Sequence, residues 1–189
     1  MLNLDRQKQA KILRLVRKIH RFTGVGLFLF LFSSGITGLL LGWKKNSMGL
    51  ILAETSQGVS KDSKDWLPID LLIGIATKHP VNLKNGKIPG EVDRIEIRPD
   101  KGIVKINYKS NYKGLQIDAT TGKILMIESR NADLIEHIHD GSFFDKQTGN
   151  KFGAFKLFYT SLCGLGLITF CITGFWMWYG PKKFRKSQP

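Results

Sequence analysis

Two stretches of the chain carry no charged residue and are mostly apolar, Phe22–Trp43 and Leu157–Pro181. A helix needs about 20 such residues to cross a hydrocarbon core, and no other segment of this sequence reaches that length. A helix that is apolar all round can also be the buried core of a large soluble protein. A chain of 189 residues seldom needs two of them. Trp43 closes the first stretch and Trp176, Trp178 and Tyr179 close the second, the placement of aromatic residues at a membrane–water boundary. The first stretch exceeds the roughly 15 apolar residues of a cleaved signal peptide, and no small-residue cleavage site follows Trp43. The pattern predicts two retained transmembrane helices, 22–43 and 157–181.

Between them the period changes. Residues 1–21 lead into the first span with helical spacing, Ile12, Leu13, Val16, Ile19 and His20 forming one stripe. Lys44–Asp65 is a polar loop that opens on a short strand, Gly49–Glu54. Pro68 starts a helix, Asp70–Lys78, which His79-Pro80 ends. Asn85-Gly86 and Pro89-Gly90 mark turns. Val92–Arg98 and Ile103–Lys109 then alternate with a period of two around Asp100-Lys101-Gly102. Leu115–Asp118 and Ile124–Glu128 do so around Thr120-Thr121-Gly122-Lys123. The expected domain, 44–141, is one helix laid on an antiparallel meander, with Ile95, Ile97, Ile106, Leu115 and Ile117 as core candidates. Asn131–Gly141 reads as a short helix, 142–156 as an interfacial segment and 182–189 as a tail. The fold class is a membrane α+β protein, two transmembrane helices flanking one small extracytoplasmic domain.

Charge orients this plan. The net charge is +14, and Arg6, Lys8, Lys11, Arg14, Arg17, Lys18 and Arg21 precede the first span while Lys182, Lys183, Arg185 and Lys186 follow the second. Basic residues beside a span stay in the cytoplasm, so both tails lie inside and the domain outside. A pI near 9.9 also suits nucleic acid. Here the basic residues flank spans, so anionic lipid headgroups are the expected partner and nucleic acid is not. Cys163 and Cys171 are eight residues apart on one helix, about 12 Å, too far to pair with each other. No nucleophile–base pair, phosphate loop or nicotinamide fingerprint is present. Asp62, Asp65 and Asp70 are loop or helix-start residues, and no residue is read as catalytic. Ser34, Gly38 and Gly42 recur every four residues, as do Thr160 and Gly164, and Thr169 and Thr173. Such spacing lets helices approach closely in lipid; a flat seat for a porphyrin face is its other use.

Gly114–Leu125 reads GLQIDATTGKIL and resembles the signature of PepSY domains, in which a strand ends in an Asp and a Gly-containing turn leads to the next strand. An aspartate before such a turn can accept backbone N–H bonds within it. Arg17–Gly24 reads RKIHRFTG, Ile138–Phe144 reads IHDGSFF, and Ile36-Thr37-Gly38 and Ile172-Thr173-Gly174 lie inside the two spans. Together, over roughly residues 11 to 183, these resemble the PepSY-associated transmembrane family. That resemblance implies a bacterial inner-membrane protein linked to iron uptake or membrane redox chemistry and binding b-type haem. Some larger relatives are haem-bearing reductases of ferric siderophores with four spans and two PepSY units; this chain has two spans and one unit. His20 and His139 are the candidate haem ligands and Arg17 and Arg21 the candidate propionate contacts. The two histidines lie at opposite ends of a span about 30 Å long. One iron therefore takes its second ligand from another copy or subunit, and a homodimer or larger membrane complex is expected. His137 and His139 point about 200° apart on a helix, so no metal site beyond the haem iron is expected, and His79 is read as solvated. Two alternatives are a non-enzymatic accessory subunit of a membrane complex and a modulator of an extracytoplasmic peptidase.

Overall fold

The computed structural model describes residues 2–78, 81–83, 86–88, 91–109 and 112–186. The chain forms two units, one made of residues 1–39 with 137–189 and the other of residues 40–136.

The first unit is built on two long helices, α1 (Leu2–Gly42) and α5 (Ala154–Lys186). The basic leader and the apolar stretch that follows it are one continuous helix, and α5 runs on through Pro181. The spans predicted at 22–43 and 157–181 fall within these helices. Only 6% of the apolar window of either helix is buried in the protein, so the soluble core-helix reading fails and both offer their surface to lipid. At the end of α5, Phe175 stacks on Tyr179 and Lys182 lies 3.9 Å over the Trp178 ring.

The face of α1 turned to α5 differs from the expected stripe. Leu27 and Thr37 are buried on it, while Ile12 and Ile19 are 44% and 41% exposed. Leu13, Val16, His20, Gly24, Leu27, Ser34 and Thr37 follow one another at helical spacing. Leu27 packs on Gly166, where a Cβ would collide with it, and Phe170 packs on Gly24. These contacts were not foreseen, whereas Gly42 and Gly164 of the expected motifs meet nothing.

The interfacial stretch contains a helix, α4 (Ser142–Thr148), set between Gly141 and Gly149. Asp145, within it, is 6% exposed and accepts the N–H groups of Phe155 at 3.1 Å and Lys156 at 2.8 Å. A carboxylate there satisfies orphan donors at the start of α5 and opposes the positive end of its dipole.

The second unit carries α2 (Ile69–Lys78) and a four-stranded antiparallel meander of β3 (Val92–Arg98), β4 (Ile103–Tyr108), β5 (Lys113–Asp118) and β6 (Ile124–Ser129). It also holds a two-stranded ribbon, β1 (Val81–Leu83) with β2 (Gly86–Ile88), and the start of α3 (Asn131–Asp140). The expected stop at His79-Pro80 and the turns at Asn85 and at Pro89-Gly90 lie outside the described residues. Gly102 closes the β3–β4 hairpin at a φ of +66°, a left-handed conformation that costs glycine nothing.

Leu72 and Ala76 of α2 pack on Val104, Ile106, Tyr108, Leu115, Ile117 and Ala119, and the Tyr108 hydroxyl donates to the Ala76 carbonyl at 2.9 Å. Each large side chain so buried contributes about 1.5–3 kcal/mol. Ile106, Leu115 and Ile117 are fully buried and Ile95 packs on the cluster as expected. Ile97 is a correction. It lies on the edge strand and is 49% exposed, for with no strand beyond β3 among the described residues the cover runs out before it.

The strand expected at Gly49–Glu54 does not form. The chain turns at Met48 and Gly49, both at positive φ. It then crosses the polar face of the sheet, where two of its N–H groups go to side chains of β5. Ser56 N–H donates to Gln116 Oε1 at 2.7 Å and Val59 N–H to Asp118 Oδ2 at 2.8 Å. This cover explains why β4 is buried at every position, against the alternation expected of it.

Candidate functional site

His20 lies on the α1 face that meets α5. Its Nδ1 is 2.7 Å from Thr173 Oγ1, and its ring meets Phe170 edge-on at 4.7 Å between centroids. Thr173 has one hydroxyl proton, and the Thr169 carbonyl receives it at 2.6 Å. The oxygen is then left to accept, so we assign the proton on the ring to Nδ1 and the lone pair to Nε2.

His139 repeats this chemistry in reverse. It lies on α3, and its Nδ1 is 2.9 Å from Thr37 Oγ1, whose own proton goes to the Ser33 carbonyl at 2.8 Å. Gly38 makes room for the ring, since a Cβ there would stand 3.3 Å from His139 Cε1. Each histidine is thus held by the threonine of an Ile-Thr-Gly triplet on the opposite helix. Neither Nε2 has a hydrogen bond among the described residues. His20 and Thr37 are seventeen residues apart on α1, about 26 Å, so the two rings sit at opposite ends of the helix pair.

Their surroundings differ. Beside His20 is an open groove of about 800 Å³ lined by Gly24, Val25, Phe28, Leu31, Phe32 and Phe170, with Arg21 at its edge. That volume lies in the range of cofactor pockets, which run to roughly 300–1,000 Å³. Arg17 does not line it. His139 lies instead beside a polar corner, where Asp140 accepts from Ser142 and pairs with Lys156 at 2.7 Å. Burial pushes the Asp140 carboxyl up, but its bonds to Lys156 and Ser142 outweigh this and hold it below the ordinary range. Tyr159 donates or accepts at Ser34 Oγ over 2.9 Å, a polar bridge from the Ser34 motif to α5.

His137 shares α3 with His139, and no group of three or more metal-ligating side chains occurs among the described residues. Cys163 and Cys171 are free thiols. His79 lies outside the described residues.

In the second unit, Asp118 shows why its signature has the form it does. The carboxylate takes the N–H groups of Thr120 at 2.8 Å and Thr121 at 2.9 Å, closing the turn, and that of Val59. Burial raises its pKa, yet these hydrogen bonds prevail and the carboxyl titrates below its ordinary 3.8.

The model of the family described as PepSY-associated TM region matches residues 17–188. The chain belongs to that family. It is a membrane protein of the α+β class, with two membrane-spanning helices flanking a four-stranded antiparallel sheet and its helices. No match to this PepSY-associated chain was found among curated proteins or solved structures. Thr37 and Thr173, the partners of the two histidines, were the residues missed. The signal was available in the repeated Ile-Thr-Gly triplet, one copy in each span.

Proposed function

We propose that this protein is a haem-binding PepSY protein anchored in the bacterial inner membrane, serving membrane redox chemistry linked to iron uptake. The observation that carries this reading is the His20 ring, its Nδ1–H committed to Thr173 at 2.7 Å and its Nε2 lone pair left over beside an apolar groove. An imidazole that ligates iron needs this division, one nitrogen on the metal and the other donating to an orienting acceptor. The residues present fit the group. Gly24, one turn from His20, adds no bulk, and Val25, Phe28 and Phe32 offer an apolar wall. Arg21 has the charge and the fork geometry for a propionate. A bound b-type haem supplies one-electron chemistry whose potential follows its axial ligands and their hydrogen bonds. The chain's own part is to orient the imidazole, keep water from its face and offset the propionate charge.

A second protein ligand to the iron would come from outside this copy. Two parallel copies in one membrane carry their His20 residues at the same depth, so a homodimer supplies a pair of imidazoles. His139 is the second candidate ligand, beside the Asp140–Lys156 ion pair. The basic tails favour cytoplasmic termini and a domain on the outer side. A reporter active only in the cytoplasm should give signal when fused after Pro189 and none when inserted at Asn85.

The test is the visible absorption spectrum of the full chain, purified after expression with ample haem. A Soret band that falls or shifts in His20→Ala supports the proposal. Wild-type protein without Soret absorption would sink it and favour the non-enzymatic accessory-subunit reading.

A further inference from the structure

The register of the sheet collects polar side chains on the face away from α2. Arg94, Asn107, Gly114 and Glu128 stand in one row across the four strands, and Glu96, Lys105, Gln116 and Met126 in the next. Residues 51–53, the start of α3 and Lys44 and Lys45 enclose a cavity of about 400 Å³ over these rows. Three observations set it apart from an ordinary solvated surface.

One wall is a buried ion pair, Lys105 Nζ to Glu128 Oε2 at 3.0 Å, with both side chains 6% exposed. Such a pair is costly to desolvate and gives stability little in return. Its presence needs another reason. Next to it, Asn107 is 1% exposed and its Oδ1 is buried without a hydrogen-bond partner. This amide stands over Gly114, where a Cβ would come within 2.7 Å of the oxygen. A buried acceptor without a donor is rare in native proteins and calls for one. Finally, the cavity's positive charge is not fully used. Arg94 and Arg130 both pair with Asp133, and Arg98 pairs with Glu96. Lys44 and Lys45 form no ion pair among the described residues, and they begin two residues past the end of α1. That places them where a spanning helix leaves the hydrocarbon, at headgroup level.

We infer that this cavity binds a glycerophosphate group, its phosphate held by Lys44 and Lys45 and a glycerol hydroxyl donating to Asn107 Oδ1. The group belongs to the headgroup of an anionic phospholipid or to free glycerol phosphate, which share this chemistry. The site is independent of the haem reading and lies in the other unit.

The experiment uses the full chain in neutral detergent, with calorimetric titration of short-chain phosphatidylglycerol, short-chain phosphatidylcholine, glycerol phosphate and inorganic phosphate. Saturable binding of phosphatidylglycerol or glycerol phosphate is expected, weakened at least about 10-fold in the double variant Lys44→Gln/Lys45→Gln. Asn107→Leu should erase the preference for glycerol phosphate over inorganic phosphate while leaving phosphate binding in place. Binding of phosphatidylglycerol alone assigns the lipid source, and equal binding of glycerol phosphate the soluble one. Absence of saturable binding by either, phosphatidylcholine binding equally well, or a lysine double variant that binds like wild type overturns the inference. If Asn107→Leu does not fold, the lysine variant decides, because neither lysine forms an ion pair among the described residues.

Discussion

The two ends of the helix pair carry the same small device in different settings. At each end a histidine on one element gives its Nδ1–H to a threonine of the opposite helix, and that threonine is anchored to its own backbone. The His20 end opens on an apolar groove edged by an arginine; the His139 end lies against the Asp140–Lys156 ion pair. The hydrogen bond sets which ring nitrogen is left over, and the surroundings decide what that nitrogen can meet. A ring orientation suited to a metal is not yet a site. The apolar wall beside His20 is what the His139 end lacks in its polar corner, and it is on this difference that the proposed haem site rests.

The largest expected effect separates the two ends directly. His20→Ala should lower haem affinity by more than about 100-fold, since it deletes an axial ligand, whereas His139→Ala should retain most of the Soret absorbance. Equal loss in both variants, read on protein of matched purity, would erase the comparison. Thr173→Val comes next. It removes the acceptor of Nδ1–H and leaves the shape nearly unchanged, so affinity should fall by about 10–100-fold. Thr37→Val, its counterpart at the other end, should leave haem content as it was. A haem titration of the two variants side by side would show whether the threonine matters through its ring or through helix packing, which both variants disturb alike.

A third variant contrasts the helix pair with the sheet domain. Asp118→Asn should destabilise the domain by about 1–3 kcal/mol at neutral pH through the loss of a charged acceptor of three backbone N–H groups, without moving the Soret band. Because the folded carboxyl titrates below its ordinary value, its stabilisation is present above about pH 4 and is lost as the pH falls through the lower, folded value. The gap between wild type and variant in thermal melting should therefore narrow in acid. A gap that is constant across that range would show that the charge is not what holds the turn. The smallest effect is expected of Arg21→Gln, no more than about fivefold in haem affinity for an exposed ion pair, and weaker still at high salt. Arg17→Gln should do nothing measurable, as Arg17 lies outside the groove.

What could be read from the sequence followed the strength of the local signal. The spans were legible because their apolar runs are long, free of charge and closed by aromatic residues, which neither a core helix nor a cleaved signal peptide matches, and the β3–β4 and β5–β6 hairpins because period two and Gly-containing turns coincide. Ile97 misled because alternation tells which face a side chain is on and not how far the cover extends along an edge strand. Segment 49–54 misled because its Leu50 and Ile51 N–H groups turn back to Ser47 while its Leu50 and Glu54 carbonyls accept from Asn131 and Gln116, side chains some sixty to eighty residues away, and no local pattern encodes such partners. At the candidate site His20, His139 and Arg21 could be named from their neighbours in sequence. The threonines could not be assigned to them, since pairing residue 20 with 173 and 139 with 37 requires knowing how the helices face each other.

The central claim is that His20 offers iron a fixed imidazole at an apolar groove, and the visible spectrum of haem-loaded full chain tests it most directly. Wild type should show a Soret band that is lost or shifted in His20→Ala and kept in His139→Ala. A wild-type chain with no Soret band after expression with ample haem, or a band indifferent to His20→Ala, would contradict it.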